Sequence, residues 1–351
     1  MKIAVYSICR NEEKNVERWD NSIREADGIF VVDTGSTDNS VNLLRKFGVE
    51  VENYKYSFFR FDWARNQALE MIPRDFDVCV SIDFDEVMPS GWTEIIKEKM
   101  KTNVKRLSYI QRTFHDGVFI QDVVRDLIHR NNGEYKWMFP VYELLWPISG
   151  DIKNDKIEDS GIIVNHYRTQ KETRYNYLSL LQVGVAEFPT HPRAWHYLGR
   201  EYMYYGRKEE AIQALKMGLN FPGWNVEQAE SMRFLALMVD NVDEKLSWLY
   251  RAISLDPNRK EHWVNLAMIY FEQKNWWGVV FAINQAISIS KPSDYITYEF
   301  VSGFLPYDLV AFAYYNLGLY DMAYTMGQKA IEFQPDNVEL RKKLRMYKKK
   351  Q

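Results

Sequence analysis

The second half of this 351-residue chain repeats itself every 34 residues, and no other feature constrains its fold as tightly. Gly218, Ala252 and Ala286 lie 34 residues apart, and Trp195 and Trp263 lie 68 apart, two periods. Trp195, Leu198, Gly199 and Tyr202 read W-x-x-L-G-x-x-Y, with Ala211 following; Trp263, Leu266 and Tyr270 repeat the register, with Ala267 in place of glycine. Pro257, Pro292 and Pro335 stand where a helix must stop, because proline has no N–H to continue it. A last unit, Tyr307 to Pro335, contains Gly318 and Ala323. Ala286 and Ala330 are 44 residues apart, which implies about ten inserted residues near Lys291 to Gly303. The unit between Asn225 and Pro257 is degenerate, marked mainly by Ala252 and Asp256-Pro257. A unit of this length cannot bury its apolar face alone, so neighbours must stack. About four helix pairs in a short solenoid are expected over 191–351.

The first half has a different grammar. KIAVYSIC, IFVVD, VEVEN and VCVSID read as strands, and helical patterns lie between them: Val16, Trp19 and Ile23 on one face, then Val41, Leu44 and Phe47 ended by Gly48, then Ala64 to Met71. Asn11 is a plausible N-cap for the first helix, and Thr37 or Asp38 for the second. Strands alternating with helices predict an α/β domain over 1–168 with a mostly parallel sheet, joined through a linking helix in 169–190 to the repeats. Ligands of such sheets sit beyond the carboxyl ends of the strands.

Composition narrows the functional classes. Apolar residues make up 46% and charged residues 26%, which excludes disordered and disulfide-scaffold chains. With 45 basic and 48 acidic residues the net charge is −3, so nothing suggests nucleic-acid binding by overall electrostatics. No apolar run of ~18 residues exists, and the start MKIAVYSICRNEE turns charged too early for a signal peptide, so no membrane insertion and a cytoplasmic setting are expected. Cys9 and Cys79 read as buried free thiols of a reducing compartment. The 11 Trp, 23 Tyr and 19 Phe demand a large core, a ring-lined cleft, or both.

Three polar clusters follow the strands. Arg10-Asn11-Glu12-Glu13 suits a helix cap or a turn facing a nucleotide. Asp33-Thr34-Gly35-Ser36-Thr37-Asp38 is a strand-to-helix turn whose Asp33 could accept from a base N–H or a ribose hydroxyl. In Ser81-Ile82-Asp83-Phe84-Asp85-Glu86, three crowded carboxylates repel unless something cationic offsets them. A divalent cation does so, and oxygen ligands select Mg²⁺ or Mn²⁺. Strand alternation would place Asp83 and Asp85 on the same side.

Taken in order, ICRNEE, VVDTGSTD, FRFDWARN and SIDFDE resemble the family 2 glycosyltransferases, with a GT-A nucleotide-diphospho-sugar fold and SIDFDE as the D-x-D element. IIVNHYRTQKETRYNYLSLLQVGVAEFPTHPRAWHYLGREY resembles the junction between such a domain and tetratricopeptide repeats. The resemblance implies an inverting hexosyl- or pentosyltransferase with a UDP-sugar donor and Mn²⁺ or Mg²⁺. It implies nucleotide contacts from Ile8, Arg10, Asn11, Glu12, Asp33, Gly35, Arg65, Asp83 and Phe84: Asp33 on the uracil or sugar, Arg65 near the diphosphate and Asp83 on the ribose. It also implies metal ligation by Asp85 and His166. The expected base is Glu143, in FPVYEL, where relatives often carry His-Glu and this chain has Tyr142; Asp122 and Asp126 are fallbacks. Trp63, Trp137, Phe139, Tyr142 and Trp146 are candidates for sugar or acceptor stacking. Loops between Ser108 and Ile162 would shape the sugar pocket.

The partners expected are the donor and a macromolecular acceptor: protein, glycan or, as a minority reading, a modified nucleic-acid base. The repeats would present the acceptor or mediate self-association, possible homodimers included. A non-catalytic scaffold is the competing class, against which the costly acidic triplet argues. The tail Arg341 to Lys350, with seven basic residues in ten, reads as a solvated final helix or a weak anionic contact.

Overall fold

The computed structural model describes residues 1–101, 103–150, 154–168, 176–290 and 295–350. They form two compact units, Met1–Glu187 and Phe188–Gln351.

In the first unit, β1 (Ile3–Cys9), α1 (Glu13–Ile23), β2 (Gly28–Asp33), α2 (Ser40–Lys46), β3 (Glu50–Asn53), α3 (Phe61–Glu70) and β4 (Val78–Ser81) alternate as the sequence pattern requires. There follow β5 (Glu86–Val87), α4 (Trp92–Lys99), β6 (Arg106–His115), β7 (Val118–Arg130), β8 (Tyr135–Met138), β9 (Leu144–Pro147), β10 (Ile157–Tyr167) and α5 (Tyr177–Glu187). Of the 169–190 stretch expected as a link, residues 169–175 lie outside the described residues, and α5 belongs to the first unit.

The main sheet has eight strands in the order β3-β2-β1-β4-β7-β6-β10-β5. β1, β2, β3 and β4 are parallel, as is the β6–β10 pair. β7 runs antiparallel to β4 and β6, and β5 antiparallel to β10. The sheet is therefore mixed, and β8–β9 form a separate hairpin. Apolar side chains of β1, β2 and β4 enter cores on both faces: Val5, Val31 and Val80 meet Val16 and Trp19 of α1, while Ala4, Val32 and Cys79 meet Ala68 of α3.

Two expectations are corrected here. Most of the stretch between Ser108 and Ile162 is strand, not loop. β6 and β7 form a ribbon turned by Asp116 (φ 50) and Gly117 (φ 78), the pair of positive-φ residues that a tight hairpin needs. The fourth strand ends at Ser81 rather than Asp83, because Glu86 N–H donates to the Asp83 carbonyl (2.9 Å) and closes a turn.

The second unit is all helix. α6 (Pro192–Tyr204) packs with α7 (Lys208–Gly218), α8 (Asn225–Met238) with α9 (Val242–Leu255), α10 (Lys260–Glu272) with α11 (Trp276–Ser288), and α13 (Leu305–Asn316) with α14 (Tyr320–Phe333). α15 (Val338–Lys348) covers the end of the stack, and α12 (Glu299–Ser302) lies in the insertion. The period has a packing cause. Ala211, Ala252, Ala267, Ala286 and Ala323 are buried where helices meet, and a Cβ on Gly199 would stand 2.6 Å from Leu215. Pro292 lies outside the described residues. Tyr295 to Tyr298 lie across α6, α8 and α10: the Tyr295 hydroxyl meets His196 and Arg200, Arg259 donates to the Ile296 carbonyl, and Tyr298 N–H donates to Glu261. In the basic tail, Leu340 and Tyr347 are buried and Lys343 pairs with Asp308 at 2.6 Å.

Candidate active site

The turns after β1 and β2 are stitched together. Asn11 is not a helix cap. It has φ 56, its N–H donates to Ser36 Oγ (2.9 Å), and its Oδ1 accepts from Thr37 N–H (2.7 Å). A short amide side chain tolerates this left-handed backbone, which explains asparagine here. Glu12 N–H donates to Ser40 Oγ, and Glu12 Oε2 accepts from Asn15. Asp33, buried at the end of β2, accepts from the Gly35 and Ser36 N–H groups, so part of its hydrogen-bonding capacity shapes its own turn. Asp38 accepts from Ser40 and Glu13 N–H, and these bonds lower its pKa against the opposing cost of desolvation. Arg10 is exposed and Ile8 half-buried.

The centre is Arg65 on α3. Its Nη2 donates to both oxygens of Asp83 (2.9 and 3.0 Å), its Nε to Glu143 Oε1 (2.6 Å) and its Nη1 to Ser81 Oγ (3.2 Å). The guanidinium lies 4.9 Å from the centre of the Trp137 ring. Burial works against its charge, but Asp83 and Glu143 outweigh that and raise its pKa. Expected near the diphosphate, the guanidinium is turned inward, its side chain 9% exposed, and braces two carboxylates. The Asp83 side chain remains 44% exposed.

Asp85 faces a different partner. Its Oδ2 lies 3.4 Å from His166 Nε2, and His166 Nδ1 meets Thr113 Oγ1 at 3.3 Å. Burial opposes protonation of His166, yet Asp85 and its acidic neighbours raise its pKa. Glu86 is buried; its Oε2 accepts from Asp83 N–H (2.8 Å) and its Oε1 from Gln111. Desolvation and the nearby Asp83 charge push its carboxyl up to about 7. The crowded triplet is thus relieved residue by residue, through Arg65, His166 and Gln111, and its presence does not by itself demand an ion. Because residues 83–85 form a turn, Asp83 and Asp85 do not share a strand face. Among the described residues no group of three or more His, Cys, Asp or Glu could hold a metal ion.

Phe84, expected among the nucleotide contacts, turns its ring into the core. Its ring is buried and stacked on Trp19 at 4.3 Å between centroids, which anchors the turn from beneath. Asp122 pairs with Arg112 across the β6–β7 ribbon (2.9 Å), and Asp126 with Arg106 (2.6 Å). Glu143 is the expected base that the fold brings to Asp83, through one guanidinium. The segment carrying it holds Phe139 at φ 74 and Tyr142 at φ 54, and non-glycine residues so placed cluster at functional sites. Trp137 and Phe139 are buried, Trp146 is half-buried on β9, and Trp63 is 48% exposed. Cys9 and Cys79 are free and buried, each thiol pushed up to about 12 by desolvation, so neither is poised as a nucleophile.

The sequence reading gave Ser81 no role of its own and missed Gln111 and Thr113. The last two alternate on β6, a strand whose polar residues gave no signal until its partners β7 and β10 were known.

The fold defines the class of architecture: a mixed α/β domain followed by a unit of stacked helix pairs. Residues 5–152 match the model of glycosyl transferase family 2. The SPbeta prophage-derived glycosyltransferase SunS of Bacillus subtilis (strain 168) is 25% identical over 227 residues, covering 61% of this chain and 52% of the relative; glycosyltransferase SunS of Bacillus phage SPbeta aligns identically. The chain thus spans about half the length of the curated relatives it matches. Among solved structures, MamA is similar with 22% identity and a TM-score of 0.38, over 45% of this chain and 86% of that one. A thermophilic TPR protein of Thermus thermophilus is similar with 18% identity and a TM-score of 0.32, over 48% and 88%. Among the described residues no helix is long and apolar enough to cross a membrane.

Proposed function

We propose that the chain is an inverting, metal-assisted glycosyltransferase that moves a hexose or pentose from a UDP-sugar to an acceptor hydroxyl. The observation that carries this is the convergence of Asp83, Glu143 and Asp85–His166 around Arg65 and the turn after β4.

The residues fit a divalent cation. Two donors 3.4 Å apart approach the edge of an octahedron with bonds of about 2.1 Å, and Mg²⁺ or Mn²⁺ commonly takes few protein ligands with phosphate and water oxygens completing the shell. Asp85 and His166 would hold it; when bound, it supplies charge neutralisation for the departing diphosphate. The half-exposed Asp83 carboxylate accepts from the ribose, and Asp33 from the base. Arg65 is a positioning residue: its Nε on Glu143 Oε1 fixes that carboxylate and leaves Oε2 to take the acceptor proton. The acceptor oxygen attacks the anomeric carbon as the bond to UDP breaks, the electron pair leaves with UDP, and the proton passes to Glu143.

The repeats would present a macromolecular acceptor. Two buried, unpaired cysteines support a reducing, cytoplasmic setting.

Incubation with a panel of UDP-sugars and Mn²⁺ tests the reading through UDP release. Release with at least one sugar, abolished by EDTA and reduced at least a hundredfold in Glu143→Gln, is expected. Silence across the panel, with no metal-dependent nucleotide binding, sinks it.

A further inference from the structure

The outward face of α3 carries an arrangement that the site above does not use. Trp63, Gln67 and Glu70 recur at helical spacing and line a cleft of about 430 Å³, whose other wall is Tyr54, Tyr56 and Phe58 from the β3–α3 connection. Arg65, with Ala64 and Ala68, occupies the opposite, buried face of the helix. A helix is about 10 Å across, so the thickness of α3 separates this cleft from Asp83.

Three of its rings, Tyr54, Phe58 and Trp63, are 45, 43 and 48% exposed, a concentration of wet aromatic surface that marks a binding site more often than chance. Two of them are fixed in place. The Tyr54 and Tyr56 rings stand 4.5 Å apart. The Arg60 guanidinium covers Trp63 at 4.4 Å, and Arg60 is itself clamped by Asp62 and Glu187. The floor is rigid as well: Asn66 exchanges two hydrogen bonds with the Trp137 backbone (2.9 and 2.8 Å).

Ring faces beside an amide and a carboxylate match one ligand chemistry well. A pyranose has an apolar C–H face for stacking and an equatorial hydroxyl edge for Gln67 and Glu70. Lys55 also lines the cleft and balances Glu70, so the lining carries no net positive charge to draw the donor diphosphate here. The wall that carries Tyr54 is tied to the end of β2, since Tyr54 N–H donates to the Asp33 carbonyl at 2.8 Å.

We propose that this cleft binds a pyranose unit of the acceptor, so that the acceptor is a glycan or glycoconjugate gripped a helix-width from its reacting hydroxyl. The inference rests on the glycosyl-transfer reading, but its test needs neither donor nor turnover.

The full chain is titrated with methyl β-D-glucopyranoside, methyl β-D-galactopyranoside, N-acetylglucosamine and their β-linked disaccharides, followed by tryptophan fluorescence and saturation-transfer NMR. UDP with Mn²⁺ is titrated in parallel. At least one saccharide should bind the wild type. Trp63→Ala should weaken it tenfold or more while the UDP dissociation constant stays within twofold. Glu70→Gln, a surface change that keeps the fold, should weaken the saccharide severalfold and covers the case in which Trp63→Ala does not fold. The proposal is overturned if no saccharide binds the wild type, or if both variants bind it normally. It is equally overturned if Trp63→Ala weakens UDP as much as saccharide, because the cleft would then house the nucleobase. Absence of transfer with intact saccharide binding would remove the enzymatic reading and leave the cleft standing.

Discussion

Both units bury arginine–carboxylate clusters, and the two clusters differ in what they leave over. In the solenoid, Glu230, Arg233, Arg259 and Glu261 are all nearly inaccessible and pair with one another: Arg233 grips both Glu230 oxygens, and Arg259 lies 3.5 Å from Glu230 and Glu261. Burial opposes ionisation of Glu230, yet the two arginines hold its pKa far below the usual carboxylate range. In the first unit Arg65 is also buried, but Asp83 beyond it is 44% exposed, and desolvation with the Asp83 charge pushes Glu86 up to about 7. A cluster closed off from solvent specifies structure; a cluster that still shows carboxylate oxygens to solvent and holds a perturbed acid is arranged to meet a ligand.

The largest effect expected from breaking this contrast is chemical. Asp85→Ala should cut transfer roughly a thousandfold, the scale of a lost charge-neutralising contact, while the thermal midpoint barely moves. Full turnover in that variant would remove the metal assignment.

Next comes the solenoid. Glu230→Ala leaves Arg233 and Arg259 buried without compensation and should cost about 3 kcal/mol or more, measured by urea unfolding of the helical signal. Nucleotide binding should survive wherever the first unit remains folded.

Arg65→Lys is intermediate. Lysine keeps the charge but cannot span Asp83, Glu143 and Ser81 with a planar fork. A fall in kcat of roughly ten- to a hundredfold is expected, with donor KM changed much less. A merely structural role for Arg65 would instead lower stability and leave the kcat of folded protein intact.

The pH dependence of the solenoid is smaller still under mild conditions. Burial pushes His262 down to about 3, with Arg259 adding to the effect and Glu230 opposing it. The folded state therefore holds His262 neutral, its stability complete above an unfolded pKa of about 6.5 and lost as pH falls toward 3. The loss should be about 1.4 kcal/mol for each pH unit below 6.5. Amide exchange in α8 and α10 should speed up accordingly, and His262→Leu should flatten the dependence.

The legible and illegible parts divide along the same line as the two clusters. The 34-residue period was readable because close helix approach forces small residues at fixed positions, Gly199 against Leu215 among them. β1, β2 and β4 were readable because both their faces are buried, which leaves continuous apolar runs. β6 and β7 were not: a ribbon with half-exposed faces alternates polar and apolar residues, and its Asp116-Gly117 turn went unread. The acidic triplet was found, but not its relief. Arg65, Gln111 and His166 come from α3, β6 and β10, and such long-range pairing leaves no local spacing to detect. Phe84 looked like part of the site because it sits between two acids, although its ring serves the core.

The most direct test of the account is calorimetric titration of UDP into the full chain with Mn²⁺ and with EDTA, in the wild type and in Asp85→Asn and His166→Ala. Binding that requires Mn²⁺ in the wild type and is lost or weakened at least tenfold in both variants is the result predicted. Equal affinity with and without the ion, or variants that bind as the wild type does, would contradict it.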